Sequence, residues 1–221
     1  HGCWAADMDH DGFGDLLVTG YGGLQLLHNQ GDGTFFPVTE EARLIDAAWR
    51  TGVAWGDVNR DGNLDLYVAH YVDWSFQNHH SCDDPHGGRT EICGPKYYGA
   101  VDDRLFLSNG DGTFDDATSR AGLIPGGKGL GVVMGDLDLD GDLDVYVAND
   151  TIENFLYLNR GDGRFDEEGQ LKGVALDDSG RPTGSMGVDL VDFDADGLPD
   201  LWTANYEHEI FGLYRNLGQG R

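Results

Sequence analysis

One nine-residue acidic pattern, returning four times, constrains this chain more than any other feature. Asp7-Met8-Asp9-His10-Asp11-Gly12-Phe13-Gly14-Asp15, Asp57-Val58-Asn59-Arg60-Asp61-Gly62-Asn63-Leu64-Asp65, Asp136-Leu137-Asp138-Leu139-Asp140-Gly141-Asp142-Leu143-Asp144 and Asp192-Phe193-Asp194-Ala195-Asp196-Gly197-Leu198-Pro199-Asp200 all fit D-x-[DN]-x-D-G-x-x-D. Their starts lie 50, 79 and 56 residues apart, so the unit is near 50 residues and the second copy carries an insertion. That period matches one blade of a β-propeller.

A second pattern trails each loop: Asn29-Gln30-Gly31-Asp32-Gly33-Thr34-Phe35, Ser108-Asn109-Gly110-Asp111-Gly112-Thr113-Phe114, Asn159-Arg160-Gly161-Asp162-Gly163-Arg164-Phe165 and, less closely, Asn216-Leu217-Gly218-Gln219-Gly220-Arg221. Asp-Gly between apolar runs marks a hairpin. β-Rich runs flank each acidic loop, Val53 to Gly56 before and Leu66 to Ala69 after in the second copy. Each unit therefore predicts four antiparallel strands, A to D, with the acidic loop between A and B and the Gly-Asp-Gly turn between C and D. The expected architecture is all-β: a propeller of four-stranded antiparallel blades spanning residues 1–50, 51–128, 129–184 and 185–221, with the insertion at 71–103. The last blade reaches only its C-to-D turn, so we expect part of a larger ring, seven-bladed by the resemblance given below, rather than a closed four-bladed one.

The loop chemistry points to a hard cation. Ca²⁺ takes six to eight oxygen ligands, and side chains at loop positions 1, 3 and 5, a backbone carbonyl at 7 and a carboxylate at 9 can surround it. The candidate ligands are Asp7, Asp9, Asp11, the Phe13 carbonyl and Asp15; Asp57, Asn59, Asp61, the Asn63 carbonyl and Asp65; Asp136, Asp138, Asp140, the Asp142 carbonyl and Asp144; and Asp192, Asp194, Asp196, the Leu198 carbonyl and Asp200. Gly at position 6 permits the sharp turn. An EF-hand also needs an acidic residue at position 12, where this chain has Val18, Val68, Val147 and Thr203, so these are hairpin loops. One such loop alone also reads as a solvated turn, the less favoured reading; four copies point to about four structural Ca²⁺ sites. Mg²⁺ fits less well because it keeps several waters.

Composition agrees. Forty acidic against fourteen basic residues give a formal charge of −26, which repels nucleic acid and anionic lipid. No run is long and apolar enough to span a membrane as a helix, and His1-Gly2-Cys3-Trp4 has no leader character, so any signal peptide lies upstream or has been removed. Cys82 and Cys93 sit close together in a polar stretch and are expected to pair, the reading of a secreted or cell-surface protein. Cys3 aligns with Val53, Val132 and Val188 and is expected to be a buried core thiol. A transition-metal site from His79, His80 and His86 is disfavoured because their spacing matches no known ligand set. Phe35, Phe114 and Phe165 recur at one point and are expected to pack between blades.

The acidic pattern between β-runs resembles the FG-GAP or VCBS repeat of integrin α-subunit propellers. Tyr71-Val72-Asp73-Trp74, Cys93-Gly94-Pro95-Lys96-Tyr97-Tyr98, Asp103-Arg104-Leu105-Phe106, Val147-Ala148-Asn149-Asp150-Thr151, Gly173-Val174-Ala175-Leu176-Asp177 and Gly184-Ser185-Met186-Gly187-Val188-Asp189 resemble bacterial relatives of the cartilage acidic protein family, associated with ASPIC/UnbV segments. The resemblance implies a secreted seven-bladed propeller with calcium in the loops. No catalytic constellation is evident, and His70 and His208 have no nucleophile at a recognisable spacing. The expected role is an extracellular binding, adhesion or scaffolding module, contacting protein or glycan or associating with itself, with no nucleic-acid partner; the alternative is a carbohydrate-active module, a lectin or a lyase-like enzyme. A contact surface is expected at the end of the molecule that carries the insertion, opposite the acidic loops.

Overall fold

The computed structural model describes residues 2–45, 47–83, 90–91 and 93–218; His86 and the last three residues lie outside the described residues. β1 (Gly2–Ala6), β2 (Asp15–Gly20), β3 (Gly23–Asn29) and β4 (Phe35–Pro37) form the first antiparallel sheet in sequence order. The second combines β5 (Arg50–Gly56), β6 (Asp65–His70), β9 (Arg104–Ser108) and β10 (Phe114–Asp116), with the short pair β7 (Cys82–Asp83) and β8 (Thr90–Glu91) inside the insertion. β11 (Gly129–Gly135), β12 (Asp144–Asn149), β13 (Phe155–Asn159) and β14 (Phe165–Glu167) make the third, and β15 (Ser185–Val191), β16 (Asp200–Asn205) and β17 (Gly212–Tyr214) a three-stranded fourth. These sheets are four blades of a partial propeller.

Successive A strands pack edge to edge along the inner side. A Cβ on Gly52 would lie 3.1 Å from the Leu130 carbonyl oxygen, and one on Gly131 3.0 Å from that of Met186, so glycine is what lets the inner backbones approach. Between the blades lie three apolar layers. Leu17, Leu26, Val53, Leu66, Phe106 and Phe114 fill the first; Tyr67, Leu105, Val145, Tyr157 and Phe165 the second; Tyr146, Leu156 and Leu201, with Val188 and Tyr214, the third. Strands B of the two interior blades, β6 and β12, are buried along their whole length because each has a neighbour on both faces.

Phe114 and Phe165 occupy the expected interblade positions, and their backbone N–H groups donate to the carbonyls of Ala42 and Ala121 in the preceding connector. Two expectations fail in the first blade. Cys3 is exposed rather than a core thiol, and Phe35 is 40% exposed rather than packed. The reason is common to both: they sit on the face of blade 1 turned away from blade 2, and no described blade covers it. At the other end, a cavity of about 370 Å³ between blades 3 and 4 is lined by Leu137, Tyr146, Leu156, Leu158 and Tyr214. These are the counterparts of Val58, Tyr67, Leu105, Leu107 and Tyr157, which surround Phe165 one interface earlier. The cavity thus occupies, between blades 3 and 4, the position that Phe165 fills between blades 2 and 3.

Candidate metal loops and the opposite face

The four acidic loops share one backbone conformation. Position 4 is left-handed in every copy, with φ of 60° at His10, 60° at Arg60, 66° at Leu139 and 61° at Ala195, although none is glycine. Position 6 follows at φ of 89–91° in Gly12, Gly62, Gly141 and Gly197, a region that only glycine enters cheaply. A non-glycine residue in that state costs about 1 to 2 kcal/mol. Carboxylates offset this by capping the turn: the N–H groups of Asp11 and Gly12 donate to Asp7, those of Asp61 and Gly62 to Asp57, and those of Asp196 and Gly197 to Asp192. The position-5 carboxylate accepts from the residue at position 7 in all four, Phe13, Asn63, Asp142 and Leu198.

Position 9 does more than its pattern suggests. Asp15, Asp65, Asp144 and Asp200 are 2%, 0%, 0% and 0% exposed. One oxygen of each accepts the position-2 N–H, from Met8, Val58, Leu137 and Phe193, at 2.8–3.1 Å. The other accepts an N–H at the end of strand C, from Asn29, Ser108 and Asn159, or two residues past it, from Asn216, at 2.8–2.9 Å. Each carboxylate is therefore a clamp between the A-to-B loop and the C strand. Burial drives the Asp65 and Asp144 carboxyls up to about 6, with neighbouring loop charges adding to the shift.

The loop donors converge. One oxygen from each of positions 1, 3 and 9 lies within 4.8 Å of the others in the first loop (Asp7, Asp9, Asp15), the third (Asp136, Asp138, Asp144) and the fourth (Asp192, Asp194, Asp200). Asp136 Oδ1 is buried without a hydrogen-bond partner. Desolvation and repulsion from Asp140 and Asp136 also raise the Asp138 carboxyl. An all-oxygen, strongly anionic, mutually repelling donor set fits a hard divalent cation.

Contacts invisible in the repeat pattern tie neighbouring loops together. His10 Nε2 lies 3.0 Å from the Gly62 carbonyl oxygen, and Arg60 Nε lies 2.5 Å from Asp142 Oδ1. The Asn159 amide donates to the Val58 carbonyl in the preceding loop, and the Asn216 amide does the same to Leu137. Only the position of these Asn residues, always just before a Gly-containing turn, hinted at the role.

At the opposite end the insertion forms its own small core of Val72, Cys93 and Tyr98, with Cys82 bonded to Cys93 across a Cα separation of 5.4 Å. Tyr21, Trp49, Tyr71, Trp74 and Phe76 make an edge-to-face aromatic cluster spanning blades 1 and 2. Most of it packs the loop down, but Phe76 is 76% and Tyr21 41% exposed. His79 accepts from the Trp74 indole rather than joining His80. Tyr71 Oη donates to Asp150 of blade 3 at 2.5 Å. Asp103, 4% exposed, accepts from Tyr67 Oη and the His70 N–H, both at 2.8 Å, and burial pushes its carboxyl up to about 6. No helix among the described residues is long and apolar enough to cross a membrane.

Comparison with known proteins places this geometry. Residues 7–68, 88–147 and 136–203 match the family model described as FG-GAP-like repeat. Cartilage acidic protein 1 of Homo sapiens is 28% identical over 96% of the chain, and that of Xenopus tropicalis 25% identical over all of it. The chain spans about two fifths of the length of these curated relatives, 40% and 42%. Among solved structures, an Agrocybe aegerita lectin described as recognising non-reducing terminal N-acetylglucosamine aligns with 99% of the chain and 64% of its own, at 17% identity and a TM-score of 0.32, too distant a likeness to bear on function. Four blades, each opened by the same acidic hairpin loop and matched over most of their length, make this chain a member of the FG-GAP-like repeat family.

Proposed function

We propose that the chain is a calcium-stabilised extracellular binding or scaffolding module of the cartilage acidic protein type, acting by contact rather than by turnover. The observation that carries this reading is the convergence of position-1, -3 and -9 carboxylates in the first, third and fourth loops, beside the buried position-9 carboxyls of the second and third, Asp65 and Asp144, which burial raises to about 6. Calcium would sit at the joint between A-to-B loop and C strand, where each position-9 carboxylate already ties the blade together. The disulfide and the similarity to cartilage acidic protein 1 support an extracellular setting.

The insertion end supplies the contact surface: Tyr21 and Phe76 present exposed aromatic area beside the disulfide-linked insertion. The partner is an extracellular protein or glycan. The test is binding of the intact protein to panels of matrix proteins and glycans in millimolar calcium, repeated with the Tyr21→Ala/Phe76→Ala double variant. Captured partners lost in that variant are expected; partners that bind equally to both, or steady turnover of a polysaccharide, would overturn the reading.

A further inference from the structure

The four loops are alike in backbone but not in what faces them. The residue just before the C-strand N–H that binds position 9 is fixed to one rung by that hydrogen bond, and it is His28, Leu107, Leu158 and Arg215 in the four blades. Leu107 and Leu158 are apolar and pack into the interblade layers. Arg215 turns onto its own loop: Nε lies 2.6 Å from Asp194 Oδ2 and Nη2 3.2 Å from Asp196 Oδ2. We propose that Arg215 fills the fourth loop with the chain's own positive charge, so that this loop is closed to calcium while the loops faced by leucine stay open. The inference rests on the calcium reading of the loops.

The chemistry is competition for the same oxygens. Asp194 and Asp196 are positions 3 and 5, two of the carboxylates a bound ion needs, and the guanidinium bridges both. A guanidinium stays charged at every pH at which a protein folds, and its planar fork matches two carboxylate oxygens. At millimolar calcium a loop with Kd on the order of 10⁻⁴ to 10⁻³ M is favoured by only about two- to tenfold over its ion-free state, a bias of the size that a two-point intramolecular ion pair supplies. The first loop differs in kind: His28 Nε2 is 2.9 Å from Asp9, but an imidazole carries no permanent charge.

Calcium stoichiometry by native mass spectrometry and equilibrium dialysis tests this. The wild-type chain is expected to hold three ions at millimolar calcium, and Arg215→Leu, which installs the residue found at this rung in blades 2 and 3, to hold a fourth at least tenfold more tightly than the wild-type fourth loop. Arg215→Leu combined with Asp192→Asn should return the count to three, which assigns the gained ion to loop 4. Because the Arg215 side chain is 54% exposed, the substitution leaves the blade packing intact, and circular dichroism checks this. Four equivalent ions on the wild type, or no gain in Arg215→Leu, would overturn the proposal. No calcium on either protein would instead remove the calcium reading beneath it.

Discussion

The two ends of the blade stack are tied by different means. At the loop end the same carboxylate clamp is built four times from one sequence pattern, and its charge accumulates with each copy. At the insertion end the joints are more varied: Asp103 and Asn154 each accept the N–H that ends strand B, from His70 and Asn149, but Asp103 also takes the Tyr67 hydroxyl, Tyr71 reaches Asp150, and a disulfide pins the long connection. Repetition encodes the first end from one pattern and gathers its carboxylates into four loops. At the second end the buried carboxylates Asp103 and Asp150 are each answered by hydrogen bonds.

The sharpest way to break this contrast is at a clamp. Asp144→Ala strands the N–H groups of Leu137 and Asn159 in a buried setting and is expected to cost about 4 kcal/mol in denaturant unfolding, at roughly 1 to 3 kcal/mol per unpaired group. A loss under 1 kcal/mol would mean the clamp does not hold the blade.

Next comes Asp103, a buried carboxylate at the other end. Asp103 in the folded chain titrates near 6, against about 3.9 unfolded, so its contribution to stability is present in full below pH 4 and is lost as pH rises through 6. The difference between wild type and Asp103→Asn, measured from pH 4 to 7, isolates this slope at about 3 kcal/mol. A parallel pair of curves would show that Asp103 is not strained by burial.

Reducing the Cys82–Cys93 bond should cost roughly 2 kcal/mol by loop-closure entropy while leaving calcium stoichiometry unchanged. A changed stoichiometry would erase the separation between the two ends. The smallest effect expected is that of Tyr71→Phe, about 1 kcal/mol for one lost hydrogen bond between blades 2 and 3.

The same contrast decides what was legible in the sequence. Loop positions, strand order, the hairpin character of the loops and the Cys82–Cys93 pair follow from local patterns, because a repeat prints its backbone requirements four times over. Glycine at position 6 is the clearest case. The second use of the position-9 carboxylates was hidden, since a ligand and a clamp demand the same residue. Asn159 and Asn216 reach into the preceding blade, and Asp103 is buried by partners 33 and 36 residues away, relations that no local spacing encodes. Cys3 and Phe35 show the limit most plainly: alignment with Val53 and Phe114 gives the position within a blade but not whether another blade covers it.

The central claim is that calcium in the acidic loops holds the blades together, and thermal unfolding in millimolar calcium and again after chelation tests it most directly. At roughly 0.5 to 1.5 kcal/mol per occupied site, three ions should raise the melting temperature by about 5 to 15 °C over the chelated protein. Identical melting temperatures in the two conditions would contradict it.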